Sequence, residues 1–78
     1  MNPIPEKIKV GQRYKNTNKN GEIKEDSPIY KINQIYIQTP RKIMIVLEIY
    51  AGDVIKRNTV DYEEFYKKVF ENQELKII

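Results

Sequence analysis

Few side chains in this chain could do covalent chemistry, and their types exclude most enzyme mechanisms. Its 78 residues include no histidine and no cysteine. This removes the usual general base near neutral pH, the thiolate nucleophile and the common ligands of zinc, copper and iron. The one serine, Ser27, lies in a polar segment with no candidate base beside it. A role in a turn explains Ser27 better than a role as a nucleophile.

Carboxylates are the remaining groups that could hold magnesium or transfer protons. Each has a structural explanation in its local sequence: Glu25-Asp26 lie in a polar loop, Asp53 follows a glycine in a turn, and Asp61, Glu63 and Glu64 begin a helix. The three glycines are isolated, so no phosphate-binding loop is present. We therefore expect no catalytic residues, no metal site and no cofactor, and predict that the protein is not an enzyme.

Binding is the class of function that remains, because cations and tyrosines are interleaved along the predicted strands. Aromatic rings beside cations on a β-surface are typical of proteins that bind single-stranded nucleic acid. Tyrosines with buried rings and wet hydroxyls are also what the rim of a thin core needs, so both interpretations stay open. The candidate binding residues are Arg13, Tyr14, Lys31, Tyr36, Arg41, Lys42, Tyr50, Lys56 and Arg57.

The charge balance is weakly basic and uneven. Lysine and arginine exceed aspartate and glutamate by 14 to 11, for a net charge of +3. Residues 1–60 are basic overall and residues 61–78 are acidic overall, so a polyanion could bind one face. Because +3 is low for a dedicated nucleic-acid binder, a protein partner is favoured and nucleic acid is the alternative. A third possibility, self-association through the Ile77-Ile78 edge, leaves the oligomeric state open.

The length predicts a single domain over residues 1–78 with a small core. A chain of this size buries roughly 60–65% of its unfolded surface, and without cysteine no disulfide can stabilise it. Pro3 and Pro5 predict an extended start. No run of about 18 apolar residues and no secretory leader is present, so we expect no membrane partner and a cytoplasmic location.

The first half of the chain predicts two strands joined by a polar arm. Residues 10–14 lead into the first strand, and residues 15–28 form a mobile loop or hairpin arm whose Asn20-Gly21 pair favours a type I′ turn. Residues 29–38 form the second strand. Its apolar positions change parity near Asn33-Gln34, which predicts a β-bulge. With that bulge, Lys31 and Tyr36 point outward.

The segment after Arg41 predicts a hairpin. Residues 43–51 are apolar on both faces, which is typical of a central strand. Gly52-Asp53 suits a two-residue type II′ loop, because glycine occupies its first position. That register sets Tyr50 opposite Ile55 and Glu48 opposite Arg57, as an ion pair across the strands.

A short helix over residues 61–71 follows. Asp61 is a natural N-cap, with Glu64 three residues later, and Asn72 is suited to a left-handed end. The helix carries an apolar stripe that either packs over the open end of the barrel or docks into a partner's groove. This stripe consists of Tyr62, Phe65, Tyr66, Val69 and Phe70. Residues 75–78 are apolar enough to form a closing strand.

The pattern as a whole resembles small SH3-like β-barrel proteins, many of which phages and other mobile elements encode. The resemblance lies in Val10-Gly11-Gln-Arg-Tyr14, in the Ile/Tyr-rich run of residues 29–37, in the Gly52-Asp53 hairpin and in Phe65. It implies binding of nucleic acid, peptides or other proteins. A phage-type accessory protein that blocks or modifies a host machine is the sharpest form of that expectation. The chain has no tryptophan and no acidic first loop, which argues against proline-rich ligands.

The predicted fold is therefore mainly β. We expect a small, SH3-like, partly open antiparallel barrel of four or five strands with one short C-terminal helix. The predicted function is a non-catalytic module that binds a macromolecule.

Overall fold

A computed structural model describes residues 7–78, and the extended start predicted at Pro3 and Pro5 lies outside this range. The described chain forms five strands and one short helix that continues as a π-helical turn. The strands are β1 (Arg13–Asn16), β2 (Ile29–Thr39), β3 (Lys42–Ala51), β4 (Val54–Asp61) and β5 (Leu75–Ile77). The helix α1 spans Tyr62–Tyr66, and the π-helical turn spans Lys67–Glu71.

The five strands form one antiparallel sheet in the order β4-β3-β2-β1-β5. Strands β2, β3 and β4 make a meander of long ladders, whereas β1 and β5 are short. Strands β4 and β5 are the two edges and do not pair with each other, so the sheet is open between them. The predicted mainly β fold, with four or five antiparallel strands and one short C-terminal helix, is confirmed.

The β2–β3 ladder contains the predicted bulge. Ile32 pairs with Leu47 and Gln34 pairs with Val46, which leaves Asn33 as the extra residue. The extra residue shifts the alternation of side chains between the two faces by one position. Ile32 before it and Ile35 after it therefore both face the core.

The β3–β4 hairpin has the predicted turn and register. Gly52 has a φ of 62°, whereas Asp53 does not have positive φ, which is the type II′ pattern. Tyr50 pairs with Ile55 and Glu48 pairs with Arg57. A two-residue loop with glycine in first position was therefore enough to predict the pairing of the whole hairpin.

Residues 15–28 form a hairpin arm, but the predicted type I′ turn is wrong. That turn needs positive φ at both central residues, and of the two only Gly21 has it, at 77°. The N–H of Gly21 donates to the carbonyl oxygen of Asn18 at 3.0 Å. The Asn18 side-chain oxygen also accepts from the N–H groups of Asn20 and Glu22 at 2.9 and 3.0 Å. This asparagine favours a three-residue loop that ends in a left-handed glycine.

The helix starts after its predicted N-cap and ends at Glu71 as predicted, but the left-handed residue lies one position later than predicted. An oxygen of the Asp61 carboxylate accepts the N–H of Glu64 at 3.3 Å, as an N-cap does. Asn72 is not left-handed, since its φ is −87°, and Gln73 takes that conformation with a φ of 53°. The reason is the π-helical last turn, in which the N–H of Asn72 donates to the Lys67 carbonyl oxygen at 2.7 Å, so that the left-handed position moves to the next residue.

The core lies on one face of the sheet, under the helix. Helix α1 packs on β3 and β4, and its Tyr62 and Phe65 are buried there. The apolar stripe of the helix is thus mainly a core element, although Phe70 remains exposed. The buried core residues are Ile8, Tyr14, Ile32, Ile45, Leu47, Tyr62, Phe65, Val69 and Leu75.

Candidate interaction surface

The sheet has a second face, opposite the helix, which we call the outer face. Side chains alternate along β2, β3 and β4, so every second residue of each strand points away from the core. No helix or strand of residues 7–78 packs on this face. By register, the outer face of the three-stranded meander consists of Ile29, Lys31, Gln34, Tyr36, Lys42, Met44, Val46, Glu48, Tyr50, Ile55, Arg57, Thr59 and Asp61.

The centre of the outer face is apolar. Tyr36 pairs with Met44 across the β2–β3 ladder, and Tyr50 pairs with Ile55 across the β3–β4 ladder. Val46 lies between these two pairs on β3. Ile55 is 63% exposed, while the other four side chains are half-buried by their neighbours on the sheet. We call these five residues the apolar centre, and they explain why β3 is apolar on both faces.

Charged side chains cross the outer face between Val46 and Tyr50. One row crosses four strands, because Arg13 pairs with Lys31, Lys31 with Glu48, and Glu48 with Arg57. Lys42 lies on the same face, two residues before Met44 on β3. The row therefore holds three cations and one carboxylate, and the outer face is basic even though the chain as a whole is only weakly so.

The single carboxylate of this row is held in place by its neighbours. One oxygen of Glu48 lies 3.4 Å from a guanidinium nitrogen of Arg57, and the other accepts the Tyr50 hydroxyl at 3.0 Å. This hydrogen bond raises the pKa of Tyr50, with smaller contributions from desolvation and the charge of Glu48. The Arg57 side chain is 68% exposed, so the ion pair contributes at most about 1 kcal/mol and leaves Arg57 open to a partner.

Most of the predicted binding residues come together on the outer face. They come from four strands, and the cations and tyrosines alternate along the face. The predicted residues that the register places on this face are Arg13, Lys31, Tyr36, Lys42, Tyr50 and Arg57.

Three predicted binding residues lie elsewhere. Tyr14 is fully buried, with its ring edge-on to Phe65 at 5.2 Å between centroids, so its prediction as a surface residue is wrong. Desolvation, with a smaller effect of Tyr62, raises the pKa of Tyr14 to about 12. Lys56 points to the opposite face from Arg57, because adjacent strand residues alternate. Arg41 lies in the β2–β3 turn, beside the sheet and not on it.

Sequence reasoning missed the apolar part of the surface. The sequence shows that Met44 and Val46 are apolar on the second face of their strand. That pattern is typical of a central strand, so it does not by itself indicate an uncovered face. The useful signal was that the chain offers one helix, which can cover one face of the sheet and not both. Ile55 gave no separate signal, since it follows Val54 in an exposed strand.

A small cavity opens on the core side of the sheet, between β4, β5 and the helix. Its volume is about 160 Å³. Leu47 and Phe65 lie at its apolar wall, and Asn58 of β4 and Lys68 lie at its polar side. Within residues 7–78 no three carboxylates gather as a metal-binding group.

No protein family, curated protein or solved structure was found to match this chain. Among residues 7–78, the helix is too short to cross a membrane. The function has therefore to be inferred from the surface itself, and the resemblance to SH3-like proteins of mobile elements stays a prediction.

Proposed function

We propose that the protein is a non-catalytic binding module whose outer face binds another protein. The observation that carries this proposal is the uncovered outer face, on which the side chains of the apolar centre lie next to a row of cations. Half-buried Met44 and Val46 lie beside Tyr36 on this face, with no element of the described chain above them. Contiguous apolar patches of this kind mark interaction sites on soluble proteins.

The composition of the face is that of a protein interface. Interface cores are rich in tyrosine, methionine and arginine and poor in charged groups at the centre, with a polar rim. The apolar centre supplies two tyrosines and a methionine. Of the two carboxylates beside it, Glu48 is paired with Arg57, and Asp61, opposite Met44, accepts the N–H of Glu64 as the helix N-cap. Each apolar side chain that a partner covers contributes roughly 25 cal/mol per Å² removed from water.

The cations of the outer face indicate which charge a partner should carry. Among the cross-strand partners of Arg13, Lys31 and Lys42, Glu48 is the one carboxylate, and it is already paired with Arg57. Complementary charges speed encounter and exclude wrong partners. We infer that the partner presents acidic groups around an apolar contact. The resemblance to mobile-element proteins adds a class of partner, a component of a host machine.

Nucleic acid is the second candidate, because Tyr36 and Tyr50 share one face with the cations. Two observations favour protein over nucleic acid. Met44 and Val46, which lie beside Tyr36, have no flat face on which a base could stack. Glu48 lies in the middle of the cationic row and would repel phosphates.

Affinity capture with variants tests the protein-binding proposal. The immobilised protein is incubated with nuclease-treated extract, using the wild type, Tyr36→Ala and the control Ile23→Ala, which removes an exposed apolar side chain from the arm. A protein retained by the wild type and by Ile23→Ala, but lost with Tyr36→Ala, is the expected result. Equal retention by all three would place the interface elsewhere.

Fluorescence anisotropy with labelled single-stranded DNA, RNA and duplex DNA tests the alternative. We expect no binding at physiological salt. Micromolar binding would instead establish the nucleic-acid function, provided that log affinity falls by about 0.7–0.9 per neutralised phosphate against log salt. Substituting Arg13 or Lys31 would then weaken binding stepwise.

A further inference from the structure

The free edge of β4 is the longest unpaired backbone edge in the described chain. Strand β4 pairs with β3 without a break over eight residue pairs, and residues 7–78 provide no strand on its other side. Residues 54–59 are all exposed and include no proline. Such an edge is a template for another strand unless it is short, bulged or covered.

The hairpin geometry identifies which backbone groups are free. In a two-residue hairpin the residues that flank the loop, here Ala51 and Val54, form a hydrogen-bonded pair, and such pairs then alternate along the ladder. The N–H and C=O groups of Ile55, Arg57 and Thr59 therefore face away from β3. Their side chains lie on the outer face, beside the apolar centre.

The charges of β4 select what can pair with it. Lys56 and Arg57 are the charged residues between Val54 and Val60, so the middle of the edge is basic on both faces. Self-pairing centred on either residue would set like charges opposite each other, which is destabilising. A strand with acidic side chains fits this edge better than a second copy of the chain does.

The small cavity lies next to the core-side face of β4. It therefore indicates which side chain a strand added along β4 could place on that side. Asn58 and Val60 of β4 line the cavity of about 160 Å³, together with Leu47, Phe65 and Leu75. A strand added along β4 would place one of its core-side residues opposite Asn58. Side chains directly opposite lie about 4.5–5.5 Å apart at Cβ, so an apolar side chain there would reach the cavity.

We propose that β4 accepts an extended segment of the partner as an added antiparallel strand. An acidic side chain of that segment faces Arg57 on the outer face, and an apolar side chain opposite Asn58 enters the cavity between β4 and β5. The inference rests on the proposed function, a protein partner with acidic groups, and specifies the form in which part of that partner binds.

A displayed library of short random peptides, selected on the full chain, provides the probe. We expect selected peptides to alternate acidic and apolar residues. Amide hydrogen exchange of the labelled protein is then measured with and without a synthetic selected peptide. The amides of Ile55, Arg57 and Thr59 should gain protection, whereas those of Lys56 and Asn58, which bond to β3, should already be protected. Selected peptides that leave the first three amides unprotected, or failure to select any peptide, would overturn the proposal.

A proline substitution tests the backbone contact directly. Thr59→Pro removes an N–H that does not bond to β3, and edge strands tolerate proline at such positions. Loss of one hydrogen bond and steric blocking should weaken peptide binding by at least about tenfold. The control Thr59→Val keeps the N–H and should bind like the wild type. Equal binding by both variants would contradict strand addition. If Thr59→Pro does not fold, the amide exchange measurement on the wild type tests strand addition instead.

The two proposals can fail separately. If Tyr36→Ala loses the captured partner and Thr59→Pro keeps it, the outer face is the interface and strand addition is wrong. If Thr59→Pro loses the partner and Tyr36→Ala keeps it, β4 is the docking edge and the outer-face proposal is wrong. A dimer in light scattering that Thr59→Pro converts to a monomer would make a second copy the occupant, against the proposal of an acidic partner.

Discussion

Two buried tyrosines of the core differ in what their hydroxyl groups contact. The Tyr14 hydroxyl donates to the side-chain oxygen of Gln12 at 2.8 Å. The Tyr62 hydroxyl is buried near the backbone of Ile8 and makes no hydrogen bond of good geometry with residues 7–78. A buried hydroxyl without a partner costs about 1–3 kcal/mol, whereas a satisfied one contributes about 1 kcal/mol.

Removing the two hydroxyls should therefore have opposite effects on stability. Tyr62→Phe should raise the free energy of unfolding by about 1 kcal/mol, since it deletes an unpaired polar group. Tyr14→Phe, the matched control, should lower it by about 1 kcal/mol, because the hydrogen bond from the Tyr14 hydroxyl to Gln12 is lost. Urea denaturation of both variants gives the two values. A clear loss of stability in Tyr62→Phe would mean that its hydroxyl has a partner.

Tyr14 also makes stability depend on pH in the alkaline range. Its pKa in the folded protein is about 12, against 10.0 as the ordinary value. The unfolded chain thus loses the proton at lower pH than the folded chain, and stability is complete below about pH 10 and falls as pH rises toward 12. Its contribution to the slope is about 1.4 kcal/mol per pH unit.

Comparison with Tyr14→Phe isolates this effect, because the lysines titrate in both proteins. The stability advantage of the wild type should be constant up to about pH 9 and should shrink between about pH 10 and 12. Urea denaturation at a series of pH values measures it. An advantage that stays constant up to pH 12 would show that the Tyr14 pKa is not raised.

At the scale of elements, features with a local cause could be predicted and those with a distant cause could not. Gly52-Asp53 determines its turn through one backbone angle, and Asp61 caps the helix through a side chain three residues away. The arm turn depends on Asn18, outside the Asn20-Gly21 pair. The left-handed residue shifts to Gln73 because the last helical turn widens, which no short motif signals.

The cap of the helix gives a prediction at this scale. Asp61→Ala should lower the free energy of unfolding by about 1 kcal/mol, since the N–H of Glu64 loses its acceptor. Asp61→Asn keeps an oxygen at the same position and should retain most of the stability. Thermal melting of the two variants checks the difference. If both variants melt alike, the carboxylate does not act as a cap.

At the scale of the molecule, the sequence predicted the candidate surface in part. Strand alternation and the predicted bulge are enough to place Lys31 and Tyr36 on one face. The register of the hairpin adds Tyr50 and Arg57 to that face. The sequence does not assign Tyr14 to the core or to the surface, since a strand with one covered face looks the same in sequence whichever face is covered. The apolar centre needed the three-dimensional fold, because only there is it evident that the helix covers one side of the sheet.

The whole molecule is thus a single sheet with a helix on one face and, on the other, an open surface of apolar and cationic side chains. That surface is the central claim, and an NMR titration of the labelled protein with its captured partner tests it most directly. The account predicts that the largest shifts occur at Tyr36, Met44, Val46 and Tyr50, with small shifts along the helix. Shifts concentrated at Tyr66 and Phe70, with the outer face unchanged, would contradict the claim.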